Sequence, residues 1–204
     1  MTRHTVAVLS AGLSQPSSTR LLADRLAEAT GRELAGDGTP PDLVVIELRQ
    51  LAHDITDNLL TGFPSPRLRK AVDSVVSADG LIAVTPIFSA SYSGLFKSFF
   101  DVLDAGALDG KPVLIAATGG TARHSLALEH AIRPLLTYLR AEVVPTAVFA
   151  ASADWGAGTG EGRDLAERIG RAGSQLARAI TRSDGPARHD SYREPAAFQT
   201  LLAG

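Results

Sequence analysis

Thr5-Val6-Ala7-Val8-Leu9-Ser10-Ala11-Gly12-Leu13-Ser14-Gln15-Pro16-Ser17-Ser18-Thr19-Arg20-Leu21-Leu22 carries the first decision about the fold. Val6 to Leu9 are apolar at every position rather than at every second one, which marks a strand covered on both faces. A polar bend with Gly12 and Pro16 follows, and Leu21-Leu22 then open a helical pattern. The opening unit is therefore strand, loop, helix.

The same unit recurs along the chain. Strand-like runs fall at 5–9, 43–47, 80–85, 112–118 and 142–149, and helical patterns at 19–30, 66–78, 93–103, 125–139 and 163–181. Leu81-Ile82-Ala83-Val84 repeats the apolar-throughout character of Val6 to Leu9. A (βα)5 series with right-handed crossovers predicts an α/β doubly wound parallel sheet of five strands in the order 2-1-3-4-5, with helices on both faces. Residues 1–181 are expected to form one domain. Two segments stand outside the series: a long connection at 48–65, expected as a loop, and a polar, Gly- and Pro-bearing C-terminal tail at 182–204.

Composition narrows the function. The chain has 204 residues and no cysteine, so disulfide scaffolds, cysteine nucleophiles and cysteine-ligated metals are excluded. Twenty Lys+Arg against 22 Asp+Glu give a net charge of -2 with scattered basic residues, which argues against a nucleic-acid reader. No apolar run approaches the roughly 20 residues of a membrane span. Met1-Thr2-Arg3-His4 leads directly into the first strand, so a cytoplasmic protein is expected.

Ligands of such sheets lie beyond the carboxyl ends of the strands, which singles out three loops. In the first, the hydroxyls of Ser10, Ser17, Ser18 and Thr19, together with N–H groups at a helix N-terminus and Arg20 nearby, make a cradle for a phosphomonoester. The plainer alternative is that Ser17 or Ser18 only caps the helix. Neither a Gly-x-Gly-x-x-Gly nor a Walker loop is present; the segment 106–112 places proline where magnesium needs Ser or Thr and precedes a strand, as a turn does.

The second loop is Thr85-Pro86-Ile87-Phe88-Ser89-Ala90-Ser91-Tyr92-Ser93, where Pro86 ends the strand and leaves backbone groups for a flat heteroaromatic ligand. Phe88 and Tyr92 either pack beside that ligand or join the core or an interface. Lys97 and Asp101, spaced i, i+4, form a surface ion pair. The third loop, Thr118-Gly119-Gly120-Thr121-Ala122-Arg123-His124, pairs two glycines that permit close approach of a ring, or make a plain turn. Downstream, Pro134 leaves the His130 carbonyl without its usual helical partner, which predicts a kink or π-type bulge. The five histidines have no metal-ligand spacing, so no metal site is expected.

With these three loops and Ala131-Ile132-Arg133-Pro134-Leu135-Leu136, the sequence resembles the NAD(P)H-dependent FMN reductases of flavodoxin-like fold over residues 5–150. It is most similar to the branch that supplies reduced flavin to separate monooxygenases, such as the alkanesulfonate system. The resemblance implies FMN and NADPH or NADH as cofactors. It implies that Ser10, Ser17, Ser18 and Thr19 hold the FMN phosphate, with Leu13 in the same loop among the cofactor contacts. Pro86, Ile87, Phe88 and Ser89 would border the ring and ribityl chain, and Thr118, Gly119 and Gly120 would approach the isoalloxazine. Arg123 and His124 would sit at the mouth as modulators, and no side chain would be catalytic, because the two cofactors carry the hydride transfer.

Three departures accompany the resemblance. The first loop is one residue shorter and lacks the family's arginine, His130 stands where a tyrosine occupies a π-bulge, and Phe88 replaces a commoner tyrosine. Implied partners are a flavin-dependent monooxygenase and further copies in a homodimer or homotetramer. The helix at 92–103, with Phe96, Phe99 and Phe100, is the candidate interface unless those rings fill the core. Other readings are a quinone or azo reductase with bound FMN and a flavodoxin-type electron carrier, which is usually far more acidic. A receiver module would need an aspartate where Thr85-Pro86 stands.

Overall fold

The computed structural model describes residues 3–36, 38–156 and 160–183, so most of the predicted tail lies outside the described residues. The elements are β1 (Thr5–Ser10), α1 (Ser18–Ala35), β2 (Asp42–Glu47), α2 (Ala52–Thr61), α3 (Pro66–Ser77), β3 (Gly80–Phe88) and β4 (Ser91–Tyr92). They continue with α4 (Gly94–Asp101), β5 (Pro112–Gly119), α5 (Arg133–Tyr138), β6 (Glu142–Val143), β7 (Val148–Ala151) and α6 (Gly160–Arg182). The main sheet runs β2-β1-β3-β5, and β6 and β7 both lie parallel to β5 on its other side.

That arrangement is the expected 2-1-3-4-5 winding with its fifth rung broken in two. Pro145 has no N–H to give to a ladder. The Arg133 guanidinium donates to the carbonyls of Val144 and Pro145, each at 3.1 Å, and the Thr146 N–H donates to Gln175 Oε1 at 2.8 Å. The Val144 N–H still bonds the Val113 carbonyl of β5 at 2.9 Å, and beyond it these carbonyls and the Thr146 N–H find partners off the sheet.

Strand residues alternate between two apolar layers, which is why the strands are apolar throughout. Val6, Val8, Ile82, Val84 and Leu114 pack with Leu22 and Leu26 of α1 and Leu176 and Ile180 of α6. Ala7, Leu9, Leu81, Ala83, Val113 and Ile115 face the other side, against Ile55, Leu68, Val75 and the phenylalanines of α4. Phe96, Phe99 and Phe100 are fully buried there, with Phe96 and Phe100 edge to face at 4.8 Å. The expectation that they form an oligomer interface is therefore corrected: these rings fill the core.

The 48–65 connection is also corrected. It folds into a 3-10 turn, Leu48–Leu51, followed by α2, and it buries Leu48, Leu51 and Ile55 beneath α4. The 125–139 region departs from a regular helix in the way Pro134 dictates. A π turn spans Leu128–Ile132, and the Arg133 N–H reaches back five residues to the Leu128 carbonyl.

Candidate active site at the carboxyl ends of the strands

β1 ends at Ser10, and the Ala11 N–H still bonds the Val84 carbonyl at 2.9 Å, so the chain leaves the sheet only at Gly12. There it folds tightly under the start of α1. A Cβ on Gly12 would lie 2.1 Å from Ser17 Oγ and 3.1 Å from Thr19 Cβ, so this position needs glycine. Ser17 is the N-cap of α1: its Oγ accepts from the Arg20 N–H at 3.2 Å and its carbonyl from the Leu21 N–H at 3.0 Å.

The capping role of Ser17 leaves the rest of the cradle open. The N–H groups of Gly12, Leu13, Ser14, Ser18 and Thr19, and the hydroxyl of nearly buried Ser10, have no hydrogen-bond partner among the described residues. Ser18 and Leu13 are exposed on the surface of this loop. Helix N-terminal donors of this kind favour an anion.

Thr19 differs from its neighbours. It is buried, and its hydroxyl shares a 2.8 Å hydrogen bond with the buried Thr118 hydroxyl, 99 residues away. The two side chains are directed at each other and fasten the head of α1 to the end of β5. Arg20 is also engaged: it bonds Asp24 and Glu47, and the hydrogen bond to Asp24, with Glu47 adding, holds its guanidinium above the ordinary arginine value. Its charge is compensated, so the loop carries no free cation of its own.

At β3 the Thr85 hydroxyl donates to the Pro86 carbonyl at 2.9 Å and accepts the Ser93 N–H at 3.1 Å, which draws the chain into a hairpin. Ile87 pairs with Tyr92 and Phe88 with Ser91. Ser89 (φ 48°) and Ala90 (φ 65°) form the turn, both left-handed and neither glycine. Each costs on the order of 1 kcal/mol, strain of the kind that gathers where a chain meets a ligand. The hairpin leaves Phe88 48% exposed, while Tyr92 packs on Phe96 at 5.9 Å. Lys97 and Asp101 form the expected surface ion pair.

At β5 a Cβ on Gly119 would meet the Phe149 ring at 2.8 Å, whereas Gly120 faces open space. Arg123 and His124 follow in an exposed 3-10 turn. The register sets Ser10 beside Val84, and Pro86 beside Thr118, so the three loops rise from neighbouring strands at one end of the sheet. A residue that no motif singled out joins them: Arg49, whose Nη1 donates to the Ser14 carbonyl at 3.4 Å. Among the described residues no cluster of His, Cys, Asp or Glu could hold a metal, and no described helix is long and apolar enough to cross a membrane.

Unpartnered N–H donors at a helix mouth suit a phosphate, and exposed strand-end backbone with a glycine facing open space suits a planar ring; the residues present fit FMN. The class so defined is that of flavodoxin-like flavin oxidoreductases. A model of the NADPH-dependent FMN reductases matches residues 4–156. The FMN reductase (NADPH) of Pseudomonas aeruginosa is 39% identical over 150 residues, 74% of this chain and 78% of that protein. An oxidoreductase from Corynebacterium diphtheriae superposes with a TM-score of 0.86 at 46% identity, covering 90% of this chain and 100% of that one. An NADH:FMN oxidoreductase, EMOB, in its apo form, gives a TM-score of 0.73 at 30% identity, with all of both chains covered. The chain belongs to the NADPH-dependent FMN reductase family. It is an NAD(P)H:FMN oxidoreductase, with FMN and NADPH or NADH as its cofactors.

Proposed function

We propose that the three loops hold FMN with its phosphate at the N-terminus of α1, and that the reduced flavin is handed to a separate flavin-dependent monooxygenase. The observation that carries this reading is the set of unpartnered donors at Ser10, Ser18 and Thr19 beside Gly12. In it, the loop from Ser10 to Thr19 binds the phosphate, and Leu13 covers it at the mouth. Pro86, Ile87, Phe88 and Ser89 border the ring, while Gly119 and Gly120 let it approach the backbone above Thr118. Arg123 and His124, exposed at the rim, attract the phosphates of the incoming dinucleotide.

Bound FMN supplies the chemistry by accepting a hydride from the nicotinamide, so the chain contributes binding, orientation and exclusion of water rather than a nucleophile or strong base. A reductase whose product is reduced flavin needs a consumer of reduced flavin, which supports the monooxygenase partner. The working form is proposed to be a homodimer or homotetramer. Leu60 in the last turn of α2, Phe63 just after it and Tyr138 on α5, all strongly exposed, offer apolar surface in place of the buried α4 phenylalanines.

Anaerobic mixing with FMN and NADPH or NADH tests the reading. Rapid bleaching of the visible flavin band, and turnover of free FMN faster than of quinones, is expected. No bleaching would favour an electron carrier. Quinone turnover without consumption of free FMN would rule out the proposed supply of reduced flavin.

A further inference from the structure

We infer that Arg49 is the phosphate-side cation of the flavin site: it holds the Ser14 bend of the cradle and gives the site its preference for a phosphorylated flavin. This rests on the placement of the phosphate at the head of α1 proposed above.

From Ser10 to Thr19 the loop has no charged residue, and Arg20, which follows, is paired with Asp24 and Glu47. A dianionic ester would therefore meet neutral donors alone unless a charge came from elsewhere in the fold. β2 provides the route. Its last residue, Glu47, lies in register with Ser10, so the turn Leu48–Leu51 emerges beside the loop. Leu48 and Leu51 are buried and fix that turn, leaving Arg49 between them half-buried with its guanidinium on the Ser14 carbonyl.

Two carboxylates on these elements already face other arginines. Glu47 is bonded to Arg20, and Asp54 lies 4.0 Å from Arg67. Arg49 has no ion pair among the described residues, and one bond to Ser14 leaves most of its five N–H donors available. An uncompensated guanidinium fastened to a loop of unpartnered N–H groups is suited to an anion.

Titrating FMN and riboflavin by flavin fluorescence, at low and high salt, tests the assignment on wild type, Arg49→Gln and Arg49→Lys. Wild type is expected to prefer FMN. Arg49→Gln should lose about tenfold in FMN affinity, the usual scale for a hydrogen bond to a charged group. Riboflavin binding should be unchanged and the salt dependence of FMN binding reduced. Arg49→Lys, which keeps the charge, should retain most of the preference and its salt dependence, outcomes that a merely structural role would not produce. A wild-type preference that survives in Arg49→Gln, or equal losses of FMN and riboflavin, overturns the role of Arg49 alone. Equal wild-type affinity for the two flavins overturns the phosphate placement and the role of Arg49 with it.

Discussion

At the amino ends of the strands, the Thr5 N–H bonds Asp79 Oδ2 at 2.7 Å, the Asp79 N–H returns a bond to the Thr5 carbonyl at 2.9 Å, and the Glu142 N–H bonds the Lys111 carbonyl at 2.8 Å. Buried Lys111 donates to the carbonyls of Val76 and Ala78 at the end of α3. At the carboxyl ends, by contrast, a run of N–H groups from Gly12 to Thr19 finds no partner among the described residues, and Ser89 and Ala90 hold left-handed backbone. One end of the sheet pairs these groups with one another and so contributes stability, with the buried Asp109 Oδ1 left without a partner among the described residues. The other leaves donors unpartnered and backbone strained, as the proposed ligand site requires.

The sharpest way to break this contrast is at Gly12. Gly12→Val places a side chain against Ser17 and should cut FMN affinity by roughly 10- to 100-fold, the scale of a 1–3 kcal/mol overpacking cost, measured by calorimetry. Unchanged affinity would mean that the loop is not the cradle. Next, Ser17→Ala combined with Ser18→Ala should weaken FMN by about tenfold and riboflavin far less. Equal losses would detach the hydroxyls from the phosphate.

Thr118→Val leaves the buried Thr19 hydroxyl without its partner and should cost about 1 kcal/mol of stability. It should also raise the KM for FMN more than it lowers kcat, as loosening of two loops would. A fall in kcat alone would contradict the positioning role.

Lys111→Met at the opposite end should leave FMN affinity unchanged. Burial pushes the Lys111 ammonium down to about 8 from its usual 10.5, with Asp79 partly opposing. In that window the unfolded chain binds more protons than the folded one, so this lysine makes stability rise as pH climbs from about 8 towards 10.5. Thermal midpoints across that range should rise more in wild type than in Lys111→Met; the reverse slope would place the amine elsewhere.

The sheet was legible because Val6 to Leu9 and Leu81 to Val84 are apolar at every position, and only helices on both faces satisfy that pattern. The break in the helix was legible from Pro134, as either a kink or a π-type bulge, and the structure takes the second. The helix α2 was not, because the spacing of Leu48, Leu51 and Ile55 is short and interleaved with the polar Asp54, Asp57 and Asn58. Nor was the hairpin at Phe88, whose turn uses Ser89-Ala90 without the glycine or asparagine that advertises such turns.

In the site, the loops were legible and the pairings within them were not. Nothing local to Thr19 or Thr118 announces a bond across 99 residues. The direction of Phe96, Phe99 and Phe100 depended on α2 packing against α4, which a loop at 48–65 would not provide. Arg49 belongs to no motif, and its place follows from the register of β2 with β1.

A crystal structure of the FMN complex would locate the phosphate and the ring. The phosphate is expected within hydrogen-bond distance of the Ser18 and Thr19 N–H groups, and the ring between the Pro86 to Ser89 segment and Gly119-Gly120. A phosphate bound away from α1, with those N–H groups bonded to water, would contradict that placement.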